Sequence, residues 1–217
     1  MALHEIRWPG RSPLSDFGLV SDEVKARDRD RYLSVLYAPV DVRPALMALW
    51  GLDLELAQVV AGTTDAMIGQ IRLAWWREAL AGLDGGKVAA QPLLRLLAAE
   101  VLTRGIAGAD LARLEDRWLG LIGSDDVPAA HIDGGGDLFA LAARLLGGDV
   151  LVGRRLGLAW AAGDSFVGSV PAALRPLLGL ARLAERDVIR ARQDGGRELR
   201  GSAGRQLRLL TAIAFGR

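Results

Sequence analysis

Residues 28–60 read DRDRYLSVLYAPVDVRPALMALWGLDLELAQVV, and residues 68–80 read IGQIRLAWWREAL. Apolar residues recur in both at intervals of three and four, the period of helices with one face turned inward. The GTT step at 62–64 separates them, so the pair reads as a helical hairpin. On the first helix Asp41 can cap the start, and Pro44 is tolerated in the first turn. Ala45, Leu49, Leu52, Leu56, Val59 and Val60 then share one face, with Asp53 at its edge. A carboxylate there must find a partner or raise its pKa. On the second helix, capped by Thr64, the apolar arc is Ile68, Ile71, Trp75, Trp76, Ala79 and Leu83, and Arg72 falls inside it. Arginine cannot shed its charge, so Arg72 must be paired or reach out past the tryptophans. Asp53 lies about 12 Å before the turn and Arg72 about 11–12 Å after it, at the helical rise per residue. The hairpin therefore predicts an ion pair between Arg72 and Asp53, or Glu55 half a turn further on. Such a pair fits two uses: fixing the register of two helices, or forming a polar wall in a ligand cavity.

Working outward, residues 1–20 carry Pro9, Gly10, Pro13 and Gly18 and read as an irregular arm. A helical domain over 21–217 follows, entered at Ser21 with acids in its first turn. Pro39 ends the first helix, and the DGGK turn at 84–87 ends the helix after the hairpin. Helical patterns continue over 92–105, 109–123, 138–146, 150–162, 172–193 and 205–215. The stretch from Gly123 to Gly136, with SDDVP and DGGGD, reads as a loop. No strand alternation interrupts the series, so the expected fold is all-α.

Composition removes several functional classes. The chain has 217 residues with 27 basic against 26 acidic side chains, net +1. That balance does not suit a nucleic-acid partner. There is no cysteine, which excludes thiol nucleophiles and zinc–thiolate sites. His4 and His131 have no ligating partner at i+3 or i+4, so no metal ligand is assigned. The N-terminus does not read as a signal peptide, and no uninterrupted apolar run reaches the ~18–20 residues of a membrane span. The expectation is a cytoplasmic protein, with at most peripheral contact at the inner membrane. Trp50, Trp118 and Trp160 read as core or cavity lining.

The residues of the hairpin resemble the N-terminal part of the squalene/phytoene synthase family. The resemblance rests on Asp30-Arg31-Tyr32, the Ala38-Pro39 stop, Arg43, Glu55-Leu56-Ala57, and Gly69 through Ala79 with Arg72 and the tryptophan pair. It is strong over 25–83 and weaker to the end. It implies an isoprenoid-synthase-like helical bundle around a central cavity, with Tyr32, Arg43, Arg72, Trp75 and Trp76 as candidate cavity or ligand-binding residues. Members that couple prenyl diphosphates use two aspartate-rich motifs. Acids at i and i+4 on facing helices bind Mg²⁺ ions that neutralise the diphosphate leaving group. At the register of the first motif this chain has Ala57, Gln58 and Ala61. Asp53 and Glu55 are the nearest acids and point in nearly opposite directions on a helix. The later acids Asp164, Glu185, Asp187 and Asp194 form no DxxxD pair. This pattern is similar to a divergent bacterial subgroup resembling the respiratory complex I assembly factor of this fold.

Three functions follow from that resemblance. The preferred one is a catalytically degenerate protein that binds a prenyl-type lipid or acts as an assembly factor with a protein partner. The alternative is an active prenyltransferase with an abbreviated Mg²⁺ site, in which Asp53 or Glu55 works with Asp164 or Asp187 on a prenyl diphosphate. The third is a plain scaffold, whose Gly- and Ala-rich later helices allow close packing.

Overall fold

The computed structural model of the protein describes residues 13–124, 126–193 and 198–216. Among them every regular element is helical. The first helix, α1 (Pro13–Arg27), begins inside the stretch read as an irregular arm; the rest of that arm lies outside the described residues. Two interactions hold α1 in helical form. Asp16, in its first turn, takes a two-point ion pair from Arg95 at 2.6 and 2.8 Å, and Val20 and Val24 are buried.

Asp28 then breaks the chain direction. Its side chain accepts from the amides of Asp30 and Arg31 and caps α2 (Arg29–Val35), so one expected helix is two. Next comes α3 (Arg43–Ala61), where the sequence placed it, with a proline in the first turn. Leu46, Leu49, Trp50, Leu52 and Leu56 are fully enclosed, making α3 the central helix of the core. By length and composition α3 could cross a bilayer, but most of it is covered by other helices here.

Asp65, rather than Thr64, caps α4 (Ala66–Gly82), accepting from Met67 and Ile68 amides. The residues α4 turns inward are Gly69, Leu73, Trp76 and Leu80. Ile68, Ile71 and Trp75, expected in the core, are exposed. The helix carries two apolar stripes, and the one that faces inward includes Gly69, where a Cβ would lie 2.7 Å from Thr63 Cγ2.

A broken segment follows: α5 (Pro92–Leu96) runs through a π turn into a 3₁₀ turn ending at Arg104, and α6 (Gly108–Ala112) and α7 (Asp116–Leu119) are short. The DGGGD stretch is helical, inside α8 (Ala129–Leu145), which packs along α9 (Val150–Ala162). Its glycines permit contact between backbones. A Cβ on Gly157 would overlap the Gly135 carbonyl and lie 2.6 Å from Phe139 Cβ. The chain closes with α10 (Arg175–Arg192) and α11 (Ala203–Phe215), packed on each other and on α2.

Candidate functional site

The centre of the site is Asp53, on the inner face of α3 with no solvent exposure. Its partners are not on α4. Arg31 from α2 places Nη2 2.8 Å from one carboxylate oxygen, and Arg117 from α7 places Nη1 3.2 Å from the other. Trp118 Nε1 donates to the same carboxylate at 3.0 Å. Burial is the largest single influence on Asp53 and raises its pKa. The charges of Arg117 and Arg31 and the hydrogen bonds from Arg31 and Trp118 together outweigh it, and the carboxyl is held below its ordinary value.

Each arginine is itself supported. Arg31 stands over the rings of Trp50 and Trp160, 5.4 and 5.0 Å from their centroids. Its Nε is 3.4 Å from Asp28, which also pairs with Arg200. Arg117 lies 4.8 Å from the Trp118 ring centroid and 5.2 Å from that of Trp160. His131, at the start of α8, brackets Arg117: its Nδ1 is 3.0 Å from the Arg117 carbonyl, and its Nε2 is 3.2 Å from Nη2. A carbonyl can only accept, so Nδ1 carries the proton and Nε2 accepts from the guanidinium. The ring is therefore neutral, and burial followed by the Arg117 charge lowers its pKa.

Arg31, Arg117, Trp118, His131 and Trp160, with Asp53 enclosed behind them, form one wall of a cavity of about 330 Å³ between α2, α7, α9 and α10. The opposite wall is a second charge cluster. Arg205 from α11 donates Nε to Asp30 at 2.9 Å and grips both oxygens of Asp187. The Gly201 amide donates to the other oxygen of Asp30 at 3.1 Å. Leu180, Leu183, Val188 and Trp160 supply the apolar lining.

The expected pairing of Arg72 with Asp53 or Glu55 is thus corrected. Arg72 is exposed on α4, and Glu55 faces away from the cavity to pair with Arg27 at 2.8 Å. The divergence of Asp53 and Glu55 is as the wheel gave it. None of the five candidate ligand residues lines the charged cavity. Tyr32 and Arg43 border a separate hollow of about 450 Å³. Trp75 is exposed, and Trp76 is buried in the core. The residues the sequence reading missed are Arg31, Arg117, His131 and Arg205. Arg31 had a legible signal, since it directly follows the aspartates at 28 and 30. Arg117 lies in a four-residue helix where a wheel has little to act on, His131 stands in a stretch read as a loop, and Arg205 opens α11, far in sequence from its partner Asp30.

A magnesium cluster does not fit this donor set. Asp28, Asp30, Asp53 and Asp187 each face at least one guanidinium, and among the described residues no three His, Asp or Glu converge as metal ligands. The first-motif register carries the methyl groups of Ala57 and Ala61 and the amide of Gln58.

Comparison with known proteins matches this geometry to a family. The squalene/phytoene synthase family model matches residues 24–116. A crystal structure of a dehydrosqualene synthase in complex with ligand superposes with a TM-score of 0.69, covering 93% of this chain and 96% of that one at 12% identity. The chain has the all-α isoprenoid-synthase fold, and its N-terminal part resembles the squalene/phytoene synthase family. A Dictyostelium discoideum protein described as an assembly factor 6 homologue of NADH dehydrogenase complex I is 28% identical over 85 residues. That match spans 39% of this chain and 24% of the relative's length.

Proposed function

We propose that this chain is a catalytically degenerate member of its fold, a cavity protein that binds a prenyl-type lipid or acts as an assembly factor for a protein partner. One observation carries the reading. The carboxylates around the central cavity are joined to arginines from other helices, so none is left to bridge Mg²⁺ to a diphosphate. In a cavity lined mainly by charged groups, Leu180, Leu183, Val188 and Trp160 supply the apolar surface on which a prenyl chain would pack. The limited likeness to a complex I assembly factor homologue supports the protein partner. We place the chain in the cytoplasm with peripheral contact at most to the inner membrane, which fractionation of cells tests. The transferase alternative needs Asp53 or Glu55 to act with Asp164 or Asp187 across the cavity. Asp53 sits behind two guanidiniums and Glu55 lies outside, so no observation favours it.

The test is incubation with farnesyl or geranylgeranyl diphosphate and Mg²⁺. Diphosphate release at the level of a protein-free control is expected, while the prenyl chain quenches the fluorescence of Trp118 and Trp160. Mg²⁺-dependent release above that control would overturn the proposal.

A further inference from the structure

Two guanidiniums on the wall of the central cavity have donors left over. Arg117 turns Nη1 to Asp53 and Nη2 to His131, and its Nε has no hydrogen-bond partner among the described residues. Arg31 turns Nη2 to Asp53 and Nε toward Asp28, and its Nη1 has no such partner. Both side chains are buried and both line the cavity. The Trp160 ring lies against each of them, but a ring face is a weak acceptor. A buried N–H on a charged group is costly to leave without an acceptor.

Charge decides which kind of acceptor suits them. Arg31 and Arg117 meet Asp53, Arg200 meets Asp28, and Arg205 meets Asp30 and Asp187. Four guanidiniums thus stand against four carboxylates. His131 is neutral, and no other charged side chain among the described residues lines the cavity. The cluster sums to zero. An anionic head group would find guanidiniums that are already paired, and it would face the carboxylates of Asp28, Asp30 and Asp187. A neutral oxygen accepts the free N–H without adding a charge. A carbonyl offers two lone pairs and brings no donor that needs a partner of its own.

We propose that the ligand of this cavity is an uncharged isoprenoid with a carbonyl head, its oxygen accepting from Arg31 and Arg117 and its chain lying against Trp160, Leu180 and Leu183. The inference rests on the prenyl-lipid reading above and adds the chemistry of the head group. That head is neutral, where a prenyl diphosphate carries several negative charges and binds more weakly.

Tryptophan fluorescence of the full chain tests it, since Trp118 and Trp160 line the cavity. Three probes share one chain length: farnesal with a carbonyl head, farnesene with none, and farnesyl diphosphate in metal-free buffer. Farnesal should bind about tenfold or more tightly than either of the others, the worth of one hydrogen bond from a charged donor. The two lysines, Lys25 and Lys87, are outside the cavity lining, so no ammonium there competes for the aldehyde. Arg31→Lys and Arg117→Lys each keep a cation for Asp53 but remove the free guanidinium N–H. Each should bring farnesal to within about threefold of farnesene while farnesene binding and circular dichroism stay unchanged. The three-probe comparison on the unaltered chain decides the matter even where those variants do not fold. Farnesene binding as tightly as farnesal overturns recognition of the head, and farnesyl diphosphate binding most tightly overturns its neutrality. Either result without diphosphate release leaves the degenerate cavity protein standing. Quenching by none of the three overturns this inference together with the prenyl-lipid reading.

Discussion

Replacing Asp53 with alanine should cost about 5 kcal/mol of folding stability, close to the whole stability of a marginal domain. Asp53 is fully buried and is the carboxylate shared by Arg31 and Arg117, which are 6% and 1% exposed. Removing one partner of a buried ion pair costs about 3–5 kcal/mol because the other charge stays behind. Here two guanidiniums stay behind, and the Trp118 N–H loses its acceptor, adding about 1 kcal/mol. Urea denaturation followed by circular dichroism measures the loss, and the melting temperature should fall by about 10–20 °C. Asp53→Asn keeps an acceptor for Trp118 but loses the charge, so it should fall between alanine and wild type. Replacing all three charges, Asp53→Leu with Arg31→Met and Arg117→Met, should recover most of the loss. The folded pKa of Asp53 is depressed, so its contribution is complete above the ordinary carboxylate pKa of ~3.9. It is lost as pH falls through the lower folded value. The gap between wild type and Asp53→Ala should therefore hold from pH 7 to about 5 and close only in stronger acid. A loss under about 1 kcal/mol at pH 7 would refute the view of Asp53 as the anchor of this cavity.

Two further outcomes follow from the same geometry. Arg72→Ala should change stability by no more than about 0.5 kcal/mol, because Arg72 is exposed and has no ion pair among the described residues; a loss near 3 kcal/mol would restore the ion pair expected from the hairpin. His131 is held neutral with its pKa lowered, so the unfolded chain takes up the proton first. Stability should fall as pH drops from about 7 through the unfolded value near 6.5 and level off below the folded pKa, and His131→Gln should flatten that limb in urea titrations run from pH 8 to 5.

Much of the fold was legible because long helices advertise themselves. The limits of α3 and α9 follow from periodicity and from proline, aspartate and glycine at their ends. Two errors involve glycines inside helices. The wheel gave Ile68, Ile71 and Trp75 to the interior of α4, yet α4 has two apolar stripes, and the one that packs holds Leu73, Trp76 and Leu80 with Gly69 in close contact with Thr63. Likewise DGGGD looked like a turn, whereas its glycines let α8 and α9 touch backbone to backbone. The site was legible only in part. The wheel put Asp53 at the edge of the inward face and the charge argument demanded a cation for it. Its actual partners come from α2 and from α7, a four-residue helix whose wheel says nothing about direction.

The carboxylates of this site and the arginines that hold them form one arrangement. A cluster of magnesium ions needs carboxylates whose lone pairs point into an open cavity. Around this cavity the lone pairs point at guanidiniums, and those ion pairs tie α2 to α3, α7, α10 and α11. Releasing Asp53 to a dication would set Arg31 and Arg117 beside it as buried, unpaired cations, so metal binding would oppose folding at this point. The arginines that tie these helices together therefore also occupy the carboxylates of the cavity, and a metal ion would take those carboxylates only at the expense of the fold.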